Sequence, residues 1–307
     1  MIRTILVGVL SCTCLLSAGC SDSAPGGEAS ETRSDSAQDE RSGWPEPIRF
    51  GLVPTEGGTD IVDRFQSLFT HLDAEIGIEV KAFNASEYVG VITAMQNDQV
   101  DVAYFGPKSY VEANRMAGAE ALVKQLSDDG SEGYHSILVT RRGSGIESLA
   151  DARGKSFGFV TPNSTSGFLV PSIGIMETTG MSAEAYFSDV RYTGSHTTSV
   201  RAALSGDVDV AATNTLDLGA MIRNGLDASD LVEIWRSDMI PGAVIAVRDD
   251  LPDSFKNAVR EAMLSFNKET EALEQMARGG FVVTDDSEYN IIRLLEQRRE
   301  ELARDGD

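Results

Sequence analysis

Apolar residues along this chain switch repeatedly between a strand-like and a helix-like period, and each switch marks a new element. Residues 48–53 read as a strand, after which Ile61, Phe65, Leu68, Phe69 and Leu72 recur at helical spacing until Gly77 stops them. Ile78, Val80 and Ala82 alternate as a second strand, and Tyr88, Val91, Ile92 and Met95 mark a second helix. Residues 100–105 read as a buried strand ended by Gly106-Pro107. This strand–helix alternation predicts an α/β fold with an open, mostly parallel sheet, whose ligands bind beyond the carboxyl ends of the strands. A strand at residues 134–142 runs into Gly143-Ser144-Gly145, where the chain is expected to cross into a second α/β series. That series holds a short helix at 148–152, a strand at 156–160, a helix after Ser166, a strand at Val190-Arg191-Tyr192, and a helix at 197–204. A strand at 208–212, a helix at 216–223 and a strand at 231–235 complete it. A return strand at 242–247 and two amphipathic helices, 253–274 and 287–303, close the chain.

The pattern fails at the amino terminus. Arg3, an apolar run over residues 5–16 and the small-residue ending Leu16-Ser17-Ala18-Gly19-Cys20 make residues 1–19 a signal peptide. The ending resembles a bacterial lipobox, which implies Cys20 as the lipidated first residue of the mature chain. Residues 20–47 carry Ser, Asp, Glu, Gly and Ala with almost nothing apolar before Trp44, and read as a disordered tether behind the lipid. The expected order is then a first lobe from residues 48–142, a second lobe from 143–239, and a return to the first over 240–307. No later apolar run reaches the roughly 20 residues of a membrane span.

Composition narrows the function. The cysteines are Cys12, Cys14 and Cys20, so cleavage before Cys20 leaves no disulfide, thiolate metal site or cysteine nucleophile in the body. His71, His135 and His196 have no metal-ligand spacing, and no metal or cofactor is expected. Net charge is −22, from 26 Lys and Arg against 48 Asp and Glu, which makes nucleic acid and anionic membrane surfaces poor partners. An anionic ligand would have to be held by local donors against the overall field.

Those donors are offered by Thr161-Pro162-Asn163-Ser164-Thr165-Ser166-Gly167. Pro162 ends a strand, and three hydroxyl residues of helix-capping type follow. A helix start leaves unpaired N–H groups at its positive end, and hydroxyls beside them suit a small tetrahedral oxyanion. A well-capped helix that binds nothing has the same local sequence.

Five pieces in order carry a resemblance: Phe50-Gly51 through Thr55-Glu56, Asp101-Val102-Ala103-Tyr104-Phe105-Gly106-Pro107, residues 162–171, Gly194-Ser195-His196 and Ile240-Pro241-Gly242. Together they resemble the substrate-binding proteins of phosphonate, phosphite and phosphate ABC importers. The resemblance implies a two-lobed periplasmic-binding-protein fold of type II with a double hinge crossing, closing on an oxyanion between the lobes. It implies Ser164, Thr165 and Ser166 as oxyanion hydroxyls, His196 as an anion contact, Thr55 as a first-lobe contact and Tyr88 as a cleft tyrosine. Tyr88 also fits core packing at its helical spacing. Family members that bind aminoalkylphosphonates have tyrosine where this chain has Phe105, and Tyr104 is the candidate to compensate. Those members hold the ligand's ammonium with two carboxylates, and the matching positions are Leu216 and Ala243. Asp217 is adjacent to the first and is expected to point elsewhere. The amine 2-aminoethylphosphonate is therefore expected to be a poor ligand, and phosphite, phosphate or a small alkylphosphonate a better one.

The resemblance implies no catalysis. It implies a membrane permease as partner, a membrane contact through the lipid alone, a monomer, and an exported location on the periplasmic or outer face. Two alternatives stand beside it. A hydrolase could use Ser164 or Ser166 as nucleophile with His196 as base, although no Gly-x-Ser-x-Gly elbow is present. A lipoprotein binding the same anion could signal to a membrane receptor. Lys108, Asp207, Asp209, Arg298 and Arg299 are read as solvated or structural.

Overall fold

The computed structural model describes residues 41–56 and 60–305. The signal peptide, Cys20 and most of the tether lie outside the described residues. Residues 41–47, read as the end of the tether, belong to the body. Trp44 stacks edge-on against Phe255 at 5.6 Å, and its Nε1 donates to Ser254 Oγ at 2.9 Å.

Two mixed sheets organise the chain. The first is built from β1 (Ile48–Leu52), β2 (Val80–Asn84), β3 (Val102–Phe105), β4 (Ala119–Leu126), β10 (Val244–Arg248) and β11 (Gly280–Val283), in the order β11-β4-β10-β3-β1-β2. The second is built from β5 (Gly133–Arg141), β6 (Ser156–Phe159), β7 (Asp189–Tyr192), β8 (Val210–Asn214) and β9 (Leu231–Pro241), in the order β7-β6-β8-β5-β9. In each, the strands joined by helical crossovers pair in parallel, as β1 does with β2 and β3, and β6 with β7 and β8. The remaining pairs are antiparallel, so neither sheet is mostly parallel as the alternation suggested.

The antiparallel pairs arise where the chain changes sheets. β5 pairs with β8 and β9 in the second sheet, so the first passage falls at residues 127–132 and not at Gly143. The expected boundary at residue 142 moves accordingly, because β5 begins ten residues earlier in the other sheet. The return passage lies at Gly242 and Ala243. The two passages run side by side: Gly242 N donates to Glu132 O at 3.1 Å, and Gln125 N to Ala243 O at 2.7 Å. A Cβ on Gly242 would stand 2.1 Å from Gln125 O, so only glycine allows this approach.

β4 and β11 carry no pattern that marked them as strands. β4 lies between β10 and β11, is buried on both faces, and includes Lys124, which pairs with Glu132 at 2.6 Å and with Glu288. Its sequence therefore does not alternate. The expected helix at 253–274 is broken by a 3₁₀ turn at Phe266–Lys268, where Phe266 is fully buried. Among the described residues no helix is long and apolar enough to cross a membrane.

Candidate functional site

The hydroxyl stretch forms a helix start of unusual geometry. Ser164 is its N-cap, in extended conformation, and its Oγ accepts from Gly167 N at 2.9 Å. Thr165–Leu169 make a π-helical turn closed by Leu169 N donating to Ser164 O at 3.1 Å, before the α-helix Val170–Thr179 continues. Gly167 lets this wide turn lie on the end of β6, since a Cβ there would meet Val160 at 2.4 Å.

Each hydroxyl of the trio is already used as an acceptor. Ser164 Oγ takes Gly167 N; Thr165 Oγ1 takes Lys108 N at 2.8 Å; Ser166 Oγ takes Asn214 Nδ2 at 3.2 Å. A hydroxyl carries one proton, and here that proton is left to donate. All three residues are at most 3 % exposed and line a cavity of about 30 Å³. A drug-sized ligand needs about 300 Å³ or more, so this cavity suits an occupant of a few atoms.

Every residue expected at the site lines this cavity: Thr55, Tyr88, Tyr104, Ser164, Thr165, Ser166 and His196. Thr55 follows β1, and its carbonyl accepts from His196 N at 2.9 Å, joining the first-sheet side to the second. Its Oγ1 and the Tyr88 hydroxyl are buried without a hydrogen-bond partner among the described residues. Burial raises the Tyr88 pKa well above its ordinary value, and the Asp217 charge adds to this, so the hydroxyl is a neutral donor. Tyr104 reaches the cavity because β3 alternates; Phe105 points the other way and is fully buried. Tyr104 donates to Gln125 Oε1 at 2.7 Å, so its hydroxyl proton is engaged. Leu216 and Ala243 both line the cavity, which places apolar groups at the positions matched to the ammonium-binding carboxylates.

His196 opens the helix His196–Ser205, capped by Ser195, whose Oγ accepts from Thr198 N at 3.1 Å. Its ring contacts Thr213 Oγ1 at 3.2 Å. Burial lowers its pKa, and the attraction of Asp217 only partly offsets this, so the ring is neutral near pH 7. The sign follows. A histidine whose folded pKa lies below its unfolded value of about 6.5 stabilises the fold above that pH, and this is lost as pH falls. The melting temperature of the ligand-free protein is expected to decline below about pH 6.5, and His196→Asn to remove part of that decline. Identical pH profiles for the two proteins would contradict the assignment.

One expectation is corrected here. Asp217 does not point away; it is 5 % exposed and lines the cavity. Asn214 caps the helix Thr215–Arg223 by accepting from Asp217 N at 2.7 Å, and in this first turn Leu216 and Asp217 both face the site. The site also has its own positive charge. Arg278, 3 % exposed, lines the cavity, and Arg64 lies behind it, paired with Glu56. Arg278 Nη2 and Arg64 Nη2 stand 3.8 and 4.0 Å from Asp217 Oδ1. Burial works against the Asp217 charge, but His196, Arg278, Arg64 and the Asn214 hydrogen bond outweigh it and hold its pKa below the ordinary value. Tyr134, from β5, lines the cavity as well. No local pattern marks Arg278 or Arg64: the first enters from the segment before β11, far along the chain from the other lining residues, and the second approaches Asp217 from the helix Asp60–Ile76.

The other residues set aside are structural. His71 Nε2 contacts Ser265 Oγ at 2.8 Å, and His135 Nδ1 meets Ser237 O at 2.9 Å. Asp209 accepts from Ser156 N and Oγ, both at 2.8 Å, tying β8 to β6. Arg299 is not on a solvated face: its guanidinium lies 4.6 Å from the Phe168 ring centre. Lys108 is mostly covered, 3.6 Å from Glu112 and 3.7 Å from Glu296.

Two sheets joined by a double passage, with an oxyanion-type helix start closed over by groups from the other side, define a two-lobed ligand-binding protein. Residues 50–289 match the family described as ABC transporter, phosphonate, periplasmic substrate-binding protein, and the chain belongs to that family. It is 30 % identical to the phosphonates-binding periplasmic protein of Escherichia coli (strain K12) over 256 residues, 81 % of this chain and 75 % of that one. It is 34 % identical to the phosphate-import protein PhnD of Mycolicibacterium smegmatis over 254 residues, 78 % of this chain and 75 % of that one. A crystal structure of a binding protein component of an ABC phosphonate transporter from Pseudomonas aeruginosa superposes with a TM-score of 0.80 at 29 % identity, covering 86 % of this chain and 90 % of that one. The chain is thus an exported substrate-binding component of an ABC importer of the phosphonate-transporter family, working with a membrane permease.

Proposed function

We propose that this receptor captures a small phosphorus oxyanion without an amine: phosphate, phosphite or a small alkylphosphonate. The observation that carries the reading is the hydroxyl trio, each member accepting from a protein N–H and left to donate into a small cavity. The first lobe completes the shell with Thr55 and Tyr88, whose buried hydroxyls have no other partner among the described residues. The ligand docks on the second-lobe donors first, and hinge closure brings the first-lobe groups onto it; the closed form is the one the permease recognises.

An amine fits poorly. Leu216 and Ala243 offer it nothing, and the Asp217 charge is already faced by Arg278 and Arg64. A ligand ammonium would be buried beside two guanidinium groups. The name of the mycobacterial relative, a phosphate-import protein, agrees with a ligand of this size. The receptor acts without catalysis: His196 faces Asp217 at 3.7 Å, but Ser166 Oγ receives an N–H from Asn214 and has no contact with the imidazole that would activate it as a nucleophile. Lipidation at Cys20, a monomeric state and transport, rather than signalling, complete the reading.

Calorimetric titration with phosphate, phosphite, methylphosphonate and 2-aminoethylphosphonate tests it. One or more of the first three is expected to bind at least about 100-fold more tightly than the amine. Tight binding of the amine alone would overturn the reading of Leu216, Ala243 and Arg278.

A further inference from the structure

The hydroxyl donors account for the grip on an oxyanion, yet a carboxylate stands in the same wall. Asp217 is buried, and its Oδ2 accepts from Asn214 Nδ2 at 2.7 Å and lies 3.7 Å from His196 Nε2. Its Oδ1 lies 3.8 Å from Arg278 Nη2 and 4.0 Å from Arg64 Nη2, beyond hydrogen-bond distance of both. That oxygen therefore keeps lone pairs for another donor. Arg278 is in the complementary condition. Its Nη1 donates to Ala277 O at 3.0 Å, while its Nε is buried with no partner among the described residues. Acceptor and donor stand side by side in the cavity wall, near each other but not satisfying each other.

A fully deprotonated oxyanion answers only half of this wall. Its oxygens accept from Arg278 and the hydroxyl trio, but whichever one faces Asp217 meets a second anion at close range in a water-poor site. A ligand that retains a hydroxyl answers both halves, donating to Asp217 and accepting from Arg278. We propose that Asp217 and Arg278 together read the ligand's proton, so that the receptor takes a tetrahedral phosphorus oxyanion carrying a P–OH and rejects isosteric anions that have none. This rests on the phosphorus-oxyanion reading above and names the protonation state that the site accepts.

The charged and titratable groups around Asp217 support its acting as an acceptor. Arg64 faces it from the helix Asp60–Ile76, with Glu56 paired to that guanidinium; Arg278 faces it from the segment before β11. His196 faces it from its helix start, and Tyr88, Tyr104 and Tyr134 from the helix Tyr88–Gln96, β3 and β5. The two guanidinium groups favour the ionised carboxylate, and its pKa is correspondingly low. His196 is neutral above pH 7, so the ligand's own proton is the variable that remains in that range.

Sulfate is the probe, because at mildly alkaline pH it has the size and charge of hydrogen phosphate but no proton. Calorimetry on the full chain is expected to show sulfate binding at least about 100-fold more weakly than phosphate, since a site built around a ligand hydroxyl strongly rejects an analogue without one. In Asp217→Asn the amide can donate where the carboxylate could only accept, and the phosphate-to-sulfate ratio is expected to fall by at least about tenfold. Sulfate bound by the wild type within about tenfold of phosphate, or an unchanged ratio in a folded variant, would overturn the proposal. Should Asp217→Asn not fold, the wild type decides alone. Methylphosphonate affinity is expected to fall as rising pH removes its last P–OH, while phosphate, which keeps one, holds. Parallel profiles for the two ligands would overturn the proposal. If the wild type binds no phosphorus oxyanion under any of these conditions, it is the functional reading beneath the proposal that fails.

Discussion

Replacing Thr165 with valine is expected to weaken phosphate binding by about 100-fold, close to 3 kcal/mol. Valine keeps the shape of threonine and removes only the hydroxyl, which serves in two directions. Its oxygen accepts from Lys108 N at 2.8 Å, across from the second sheet to the helix Pro107–Ala117, and its proton is left for the ligand. A hydrogen bond to a charged group contributes about 1.5–3 kcal/mol, and the Lys108 amide would lose its partner in the closed form. Both effects oppose ligand binding, the first by losing a contact and the second by destabilising closure. Thr165→Ser restores the hydroxyl and is expected to bind within a few-fold of the wild type. Calorimetry on the two variants separates the hydroxyl from the methyl group. Equal affinity in Thr165→Val and the wild type would remove the residue from the site.

Asp101→Ala is expected to cost about 3 kcal/mol of stability, at the lower end for breaking a buried ion pair because Arg49 retains access to water. Asp101 is fully buried at the start of β3, and its Oδ2 accepts from Arg49 N at 2.9 Å and Nε at 2.8 Å. Its own backbone N donates to Arg49 O at 2.9 Å, and its carbonyl accepts from Arg248 N at 3.1 Å. One side chain thus fastens β1 to β3 in the sheet that carries Thr55 and Tyr104 at its strand ends. For a chain of this size the melting temperature should drop by about 5–10 °C. A melting temperature unchanged within error would show that the pair contributes nothing beyond the neighbouring ladder.

Much of this architecture is legible in residue order because its surface helices have a free face and its buried strands end at glycine or proline. The helix Asp60–Ile76 and strand β2 announce themselves through period, while β1, β3 and β6 do so as short, mostly apolar runs that end before Pro54, Gly106-Pro107 and Pro162. β4 and β11 do not: Glu120, Lys124 and Gln125 interrupt the apolar run of the first although both its faces are covered, and the second runs from Val283 into Thr284-Asp285-Asp286 with no glycine or proline to mark its end. The position of the first passage was misplaced for the same reason: with β4 unseen, β5 was assigned to the wrong sheet.

The site divides in a similar way. Ser164, Thr165, Ser166, His196, Thr55, Tyr88 and Tyr104 occupy helix starts and strand ends, where local sequence carries a capping or turn signal, and all seven reach the cavity. Arg278 and Arg64 lie in segments with no such signal. Arg278 follows Ala277, which adopts a left-handed conformation with φ of 57°, and it enters a cavity whose other walls come from residues 55–243. Only the tertiary fold brings that cation to the ligand. Adjacent helical positions diverge by about 100°, yet a first turn anchored by Asn214 spreads Leu216 and Asp217 over the same opening.

An oxyanion held against Ser164, Thr165 and Ser166 and closed over from the first lobe can be located directly with a heavy analogue. Arsenate has the shape of phosphate and a heavy centre that anomalous diffraction locates without ambiguity. In crystals grown with arsenate, the arsenic peak is expected within about 4 Å of the three hydroxyl oxygens, with Tyr88 and Arg278 also reaching its oxygens. A peak in the wider groove beside Trp235 and Met239, or arsenate held by the first lobe with the hydroxyl trio turned away, would contradict it.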